Sequence, residues 1–203
     1  MDQFILQDSR SLTGTRISWW ENGGGYTTDV SKAEVFSRSA ALAQHESRET
    51  DLPWPLEFVL SRTQIAVDHQ YIRPVRLVVR TWEDPCYVSV KCTHDGNDLV
   101  WVSSTGQTAD LVRAAVFTRA QAAELFGSEG ARCSREIWPK TYIDAKARPI
   151  ASSADMTVMQ ALLDTGITLA EPPRRRVRRP KCEACGRFVS ASQARASYCI
   201  HCN

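Results

Sequence analysis

The sequence lacks any segment that would place it in or across a membrane. No uninterrupted apolar run approaches the roughly 18 residues that a membrane-spanning helix needs. The first ten residues, MDQFILQDSR, have neither a basic start nor a long apolar stretch, so we expect no secretory signal. We therefore expect a cytosolic protein in a reducing compartment, without a membrane partner.

Sequence signatures of common enzyme classes are missing as well. There is no G-x-S-x-G nucleophile motif, and the GGG run at 23–25 lacks the spacing of a phosphate-binding loop. The four histidines, His45, His69, His94 and His201, occur at unrelated positions, and none pairs with another at i, i+4. We therefore predict a protein that is not an enzyme and has no catalytic residue; an enzyme remains the third hypothesis.

Seven cysteines are present, and an odd number argues against a complete disulfide framework. Cys86, Cys92 and Cys133 are scattered, with no histidine or cysteine beside them at metal-ligand spacing. We predict that these three are small buried hydrophobic residues. The other four lie within the last 22 residues of the sequence.

Those four cysteines, Cys182, Cys185, Cys199 and Cys202, form two C-x-x-C pairs separated by thirteen residues. This spacing predicts a tetrathiolate zinc site, since each pair brings two thiolates to one side of the ion. The segment resembles zinc ribbons over about 180–203, and the four cysteines match the ligand positions. A redox C-x-x-C is less favoured because no βαβ pattern accompanies it.

The predicted zinc site is structural, because four protein thiolates leave no open position for water. Gly186 follows the first pair, where a tight turn benefits from a residue that adopts positive φ. Lys181 and Arg187 would offset the net charge of −2 on a zinc tetrathiolate. A module this small has almost no core, so we expect the metal to supply its folding energy.

The charge is distributed unevenly along the chain. Residues 172–203 carry a net charge of +7, whereas residues 1–171 carry −5. The stretch EPPRRRVRRPK predicts an extended spacer, since its prolines forbid a regular helix. Three interpretations stay open for it: contact with nucleic-acid phosphates, contact with an acidic protein partner, or a solvated linker. The predicted contact residues are Arg174, Arg175, Arg176, Arg178, Arg179, Lys181 and Arg187.

An internal repeat occupies the rest of the chain. Segments from the two copies share order, spacing and chemistry, which predicts a tandem duplication. The matching segments are 4–20 with 87–102, 27–38 with 108–119, and 54–59 with 138–143. The predicted parts are a first α+β repeat at 1–70, a second at 85–150, a helix at 153–166, a basic linker at 171–181 and a zinc ribbon at 182–203.

Each repeat predicts a small sheet with one helix on it, so the fold class is α+β, with the two units packed together. Asp29 and Asp110 suit N-terminal caps better than a catalytic carboxylate pair. Ser37 and Thr118 are predicted to cap the two helices. The matched tryptophans are predicted to be core residues, namely Trp19, Trp54, Trp101 and Trp138. The charged stretch at 48–51 is predicted to be a solvated loop.

The first repeat resembles short modules in uncharacterised bacteriophage and prophage proteins. The shared pattern is W-W, G-Y-T-T-D, K-A-x-x-F and then R-E-T-D-x-P-W-P, over about 4–59 and more weakly 87–143. The resemblance implies phage origin, hence the bacterial host cytoplasm, and a role in host takeover or counter-defence. We therefore predict a zinc-containing binding protein that blocks a host protein or nucleoprotein complex. The alternative is a regulator that binds nucleic acid directly.

Overall fold

The structure is a computed structural model that describes residues 3–73, 85–127, 135–163, 165–169, 180–190, 193, 199–200 and 202. The chain divides into two compact units, Met1–Ala170, which we call the body, and Glu171–Asn203, which we call the tail. The body mixes strands and helices, which confirms the α+β class. Within the described ranges, no helix is long and apolar enough to cross a membrane.

The first half of the body is a five-stranded antiparallel sheet with two helices. The long strand β1 pairs with β2, β4 and β5, while β3 pairs with the far side of β2. The strands are β1 (Gln3–Thr13), β2 (Arg16–Trp20), β3 (Tyr26–Thr27), β4 (Phe36–Ser37) and β5 (Asp51–Pro55). The helices are α1 (Arg38–Ser47) and α2 (Leu56–Leu60), and a 3-10 turn spans Val30–Lys32.

The second half contains a four-stranded sheet in the order β10, β7, β8, β9. Its strands are β7 (Cys86–Asp95), β8 (Asp98–Ser103), β9 (Gly106–Thr108) and β10 (Arg135–Pro139). The 3-10 turn Leu111–Arg113 and the helices α3 (Arg119–Gly127) and α4 (Lys140–Asp144) follow the order of the first half. Two short strands, β6 (Gln64–Ala66) and β11 (Arg148–Ile150), pair with each other across the halves. The 3-10 turn His69–Tyr71 follows β6.

The predicted caps form at the starts of the helical turns in both halves. Asp29 accepts a hydrogen bond from the backbone N–H of Ser31, and Asp110 accepts one from that of Val112. These carboxylates therefore satisfy backbone donors that a short turn would otherwise leave unpaired. Ser37 caps α1 through the N–H of Ala40. At α3, Thr118 and Gln121 form the predicted capping box.

Each half completes the other by exchanging a segment of backbone. The N–H of Ile17 in β2 donates to the carbonyl of Ala151 at 3.0 Å, although Ala151 follows the second half. The N–H of Leu99 in β8 donates to the carbonyl of Val67 at 2.9 Å, and Val67 follows the first half. The two sheets are therefore joined by reciprocal main-chain hydrogen bonds rather than by side-chain packing alone.

The cores show the same exchange. The predicted core tryptophans are all buried, with Trp19 and Trp54 in the first cluster and Trp101 and Trp138 in the second. Residues from beyond the second half, including Ala151, Met156 and Ala161, fill the first cluster. Val67, from the end of the first half, fills the second cluster. Neither cluster is complete without a segment from elsewhere in the body.

A buried ion network lies where the halves meet. Asp98, with a side chain that is 0% exposed, accepts from Arg16 Nε at 2.8 Å and from Arg148 Nη2 at 2.6 Å. Arg148 Nη2 also lies 3.4 Å from Asp68 Oδ2. Burial raises the pKa of Asp98, and the two guanidiniums oppose that shift. With two cationic partners in contact, this carboxylate is best satisfied in its ionised form.

The turn at Gly14 and the turn at Gly96 contact each other beside this ion network. Gly14 and Gly96 both have a φ of +64°, a conformation that favours glycine. A Cβ on Gly96 would lie 2.3 Å from the carbonyl oxygen of Thr13, and one on Gly14 would lie 2.2 Å from the Gly96 nitrogen. Each added Cβ would meet backbone atoms that the hairpins hold in place. Both positions therefore require glycine for two reasons, the positive φ and the lack of space for a Cβ.

Three sequence predictions need correction. The helix expected at 153–166 is shorter, because its N-terminal cap is Thr157, and we call it α5 (Val158–Leu162). Met156 lies before this helix and is buried, whereas Met159 within it is exposed. Cys92, expected to be buried, is exposed with a φ of 60°. Strand β7 shifts register across that position, so the pleat does not turn the side chain inward.

The charged stretch at 48–51 is not a solvated loop. Asp51 is 0% exposed, and Arg48 Nε lies 3.3 Å from its Oδ1. The main chain of Asp51 begins β5, and its carbonyl oxygen lies 2.9 Å from Nδ1 of the buried His45. The strand therefore draws this aspartate into the body, where Arg48 and a hydrogen bond from Gln44 Nε2 compensate the burial of its carboxylate.

We expect Asp98→Ala to destabilise the body by about 3–5 kcal/mol, because it leaves two buried guanidiniums without their shared partner. Urea unfolding followed by tryptophan fluorescence measures the loss. The matched control is Asp155→Ala, which removes an exposed carboxylate bonded to Gln64 and should cost less than about 1 kcal/mol. Equal losses for the two variants would show that the network does not hold the halves together.

We expect Gly96→Ala to cost about 2–4 kcal/mol more than Gly24→Ala, because it adds a backbone clash to the strain of a positive φ. Gly24 also has a positive φ, of 108°, but an added Cβ would meet nothing within 4 Å. The difference in free energy of unfolding between the two variants therefore isolates the contact between the turns. A difference near zero would contradict that contact.

Candidate metal centre

The structure brings the four tail cysteines together. The Sγ atoms of Cys182 and Cys202 are 3.6 Å apart, and those of Cys185 and Cys199 are 3.7 Å apart. All four sulfurs lie within 4.8 Å of one another. In the described part of the chain, this is the one group of at least three histidine, cysteine or acidic residues arranged to hold a metal ion.

The first cysteine pair is held by a short hairpin. The N–H of Gly186 donates to the carbonyl of Cys182 at 2.8 Å, and the N–H of Cys182 donates to the carbonyl of Arg187 at 2.8 Å. Gly186 has a φ of +69°, as the sequence predicted for the residue after the knuckle. Outside this turn, Lys181 pairs with Phe188 as an isolated bridge. The hairpin therefore fixes the spacing of two sulfurs without a hydrophobic core.

The second pair is closed by a single turn. The N–H of Cys202 donates to the carbonyl of Cys199 at 3.3 Å. Cys199 is buried, together with Val189, whereas Cys185 and Cys202 are exposed. Among the described residues, the cluster therefore has one buried and two exposed cysteines, with Cys182 of intermediate exposure.

The sulfurs differ in acidity. Backbone N–H groups of Cys185 and Ala184 donate to the sulfur of Cys182 and lower its pKa to about 7. The pKa of Cys202 rises to about 12, chiefly through its hydrogen bond with Cys182. Backbone donors thus stabilise one thiolate of the cluster before any cation is considered, and the thiolate is the form that binds metals.

The cluster fits a tetrahedral metal ion. Four sulfurs that each bind at about 2.3 Å lie roughly 3.8 Å apart at the corners of a tetrahedron. Two of the separations are 3.6 and 3.7 Å, close to that value, and all are within 4.8 Å. Soft thiolate ligands suit zinc, Cu(I) and iron. The four cysteines can therefore hold one metal ion, and they would occupy all four positions of its tetrahedral coordination shell.

The other predicted contact residues divide into two sets. Lys181 and Arg187 are exposed beside the first cysteine pair, and Lys181 Nζ lies 5.2 Å from the centre of the exposed Phe188 ring. The remaining predicted contacts, Arg174, Arg175, Arg176, Arg178 and Arg179, lie outside the described residues.

The body places together two histidines that the sequence left apart. The rings of His69 and His94 contact each other with centroids 4.6 Å apart and planes inclined at 39°, and His69 Nδ1 lies 2.8 Å from the carbonyl oxygen of Asn97. No spacing rule could pair them, because His69 reaches the second half only through the backbone exchange. Asp29 and Asp110, in contrast, act as caps on separate turns and do not form a catalytic pair.

Comparisons of the chain with protein-family models, with curated proteins and with solved structures find no match.

We expect the four tail thiols to react slowly with a thiol reagent until a chelator is added, because metal-bound thiolates are protected. A timed thiol titration of the native protein measures this, and the chelator should release four additional fast thiols. Cys185→Ser should abolish the chelator effect. Cys92→Ser, which removes an exposed cysteine from the body, should leave it unchanged. Fast reaction of all the tail thiols before chelation would contradict metal binding.

Proposed function

We propose that this chain is a non-enzymatic, zinc-containing binding protein of phage type, which binds and blocks a host protein or nucleoprotein complex. The cluster of Cys182, Cys185, Cys199 and Cys202 carries the proposal. A metal with four protein ligands has no open position for substrate or water, so its task is to hold a fold. A small fold that a metal ion stabilises is suited to the recognition of a macromolecular partner.

Zinc is the metal we propose for this cluster, and the tail is then a zinc ribbon. Two C-x-x-C pairs separated by thirteen residues, and sulfur separations near those of a tetrahedron, support this assignment. Iron prefers a similar set of four thiolates. Metal analysis separates the two, since an iron site would colour the protein and a zinc site would not.

The surface beside the cluster suits macromolecular contact. Phe188 is 61% exposed and Ile200 is 58% exposed, although both are apolar. Lys181 and Arg187 are exposed around the first cysteine pair. Apolar and cationic side chains on one small module resemble the composition of interface centres, where aromatic residues and arginine are enriched.

We further propose that the body arose by tandem duplication and selects the target. The matching segments of sequence, the shared order of elements and the corresponding caps at Asp29 and Asp110 support a duplication. The resemblance of the first repeat to phage and prophage modules supports action on a bacterial host. Blocking is the role that such an origin favours for a binding protein.

Direct binding of nucleic acid is the second candidate function. One observation favours it: Lys181 Nζ lies over the exposed ring of Phe188, so a cation and a stacking surface are adjacent. The arginines at 174–179 would add phosphate contacts. This candidate requires the tail to bind without the body.

A pull-down from bacterial lysate, with and without nuclease, tests the proposal. We expect a host protein to copurify in a stoichiometric amount and to survive nuclease treatment. Replacing Arg174, Arg175, Arg176, Arg178 and Arg179 by glutamine should leave this capture in place, because the body selects the target. Metal analysis of the same sample should find about one zinc ion per chain.

The contrary outcome is equally specific. If nuclease removes every captured protein and the purified chain binds nucleic acid, the second candidate is correct. The affinity should then fall steeply with salt, and the five-arginine variant should show a shallower slope by about 0.9 for each lost phosphate contact. A chain that captures neither protein nor nucleic acid would contradict both candidates.

A further inference from the structure

The body contains a polar cleft that the proposed function does not use. Its volume is about 450 Å³, within the range of sites for small ligands. One wall comes from β2, β3 and the 3-10 turn Val30–Lys32, and the other from residues 68–71 and 145–148. The backbone exchange creates it, because residues 145–148 belong to the second half.

The charged side chains that line the cleft differ in whether another group pairs with them. Asp29 is engaged by Ser31, and Asp68 by Arg148 and the N–H of Gln70. By contrast, the ammonium groups of Lys32 and Lys146 have no carboxylate partner among the described residues. Glu21 is the one lining carboxylate without a side-chain partner in the same ranges. The formal charges of the lining balance, three positive and three negative, and the two lysines are the cations in it that lack an ion pair among the described residues.

A guanidinium at the floor adds a further donor. Arg148 lines the cleft, and its Nη2 is engaged by Asp98 and Asp68. Its Nη1 is buried and has no hydrogen-bond partner among the described residues. An unpaired buried donor is costly. A small movement of the guanidinium toward an anion in the cleft would satisfy it.

Two exposed tyrosines stand at the edge of the cleft. Tyr26 is 46% exposed, and its hydroxyl oxygen accepts from Arg10 Nη2 at 3.1 Å, with Arg48 Nη2 at 3.3 Å. Tyr71 is 66% exposed, and Lys32 Nζ lies 5.8 Å from its ring centre. One ring is thus held in place by two arginines, and the other lies beside a lysine that lines the cleft. Aromatic faces of this kind stack on planar rings.

We propose that this cleft binds a small phosphorylated molecule with a planar ring, of the size of a nucleoside monophosphate. The phosphate would contact Lys32, Lys146 and Arg148, and the planar ring would stack on Tyr71. Ser18, Thr28 and Asn97 also line the cleft, and their hydroxyl and amide groups suit a sugar. No covalent step is involved.

The turn that carries Lys32 has a counterpart in the second half of the body. Aligning 27–38 with 108–119 places Arg113 opposite Lys32, and extending that match by one residue places Gln107 opposite Tyr26. Arg113 is exposed and does not line the cleft. It therefore offers a control that removes the same charge from the corresponding turn.

Isothermal titration calorimetry on the full chain tests the proposal with AMP, GMP, CMP and UMP as probes. At least one should bind with a Kd below about 1 mM, and the matching nucleoside should bind about tenfold or more weakly. Lys32→Gln with Lys146→Gln should weaken nucleotide binding about tenfold, whereas Arg113→Gln should leave it unchanged. Tyr71→Ala should weaken nucleotide binding and spare inorganic phosphate.

The results that overturn the proposal are distinct from those that concern the tail. No heat with any of the four nucleotides, or equal binding of nucleotide and nucleoside, would contradict a phosphate site. Equal binding by the double lysine variant and the Arg113 variant would place the ligand elsewhere. Both lysines are exposed, so retained tryptophan fluorescence should confirm that the variants fold.

Discussion

The contact between Asp98 and its two arginines is the constraint on which the body depends. One arginine comes from β2 in the first half, and the other from β11 in the second, so a single carboxylate joins three segments that are distant in sequence. Burial of these charges is tolerated because each is paired. The network lies beside the Gly14–Gly96 contact and the exchanged backbone segments, and together these fix the relative position of the two sheets. The polar cleft follows from that position, since both halves contribute residues to its lining.

The tail is stabilised by a different kind of force. The body is built on tryptophan cores and reciprocal backbone bonds, whereas the buried apolar residues in the described part of the tail are Val189 and Cys199. A metal ion that binds four thiolates can supply folding free energy that a core of this size cannot. If a metal is bound there, its removal should unfold the tail and leave the cores of the body in place.

Local features of the fold could be predicted from the sequence, and long-range ones could not. Several features depend on neighbours within a few residues. They are the strands flanking Gly14, the caps at Asp29 and Thr118, the buried Trp19 and Trp101, and the cysteine spacing. The exchange of residues 64–69 and 148–153 has no local signal, because either half could have kept its own strand. For the same reason the sequence did not indicate the contact between His69 and His94. The burial of Asp51 was missed because it depends on the pairing of β5 with β1. The exposed Cys92 was missed because a register shift in β7 overrides the alternation of a regular strand.

The exchanged backbone also constrains the order in which the chain can fold during synthesis. The core of the first half needs Ala151, Met156 and Ala161, which leave the ribosome long after Trp19 and Trp54. The N-terminal sheet must therefore wait, with part of its apolar surface uncovered, until nearly the whole body has been translated. Contacts of such large sequence separation form slowly. Exposed apolar surface on a waiting chain favours aggregation or chaperone binding. Premature termination before residue 150 would leave the first core without Ala151, Met156 and Ala161, so partial products of this gene should be degraded rather than accumulate as folded halves.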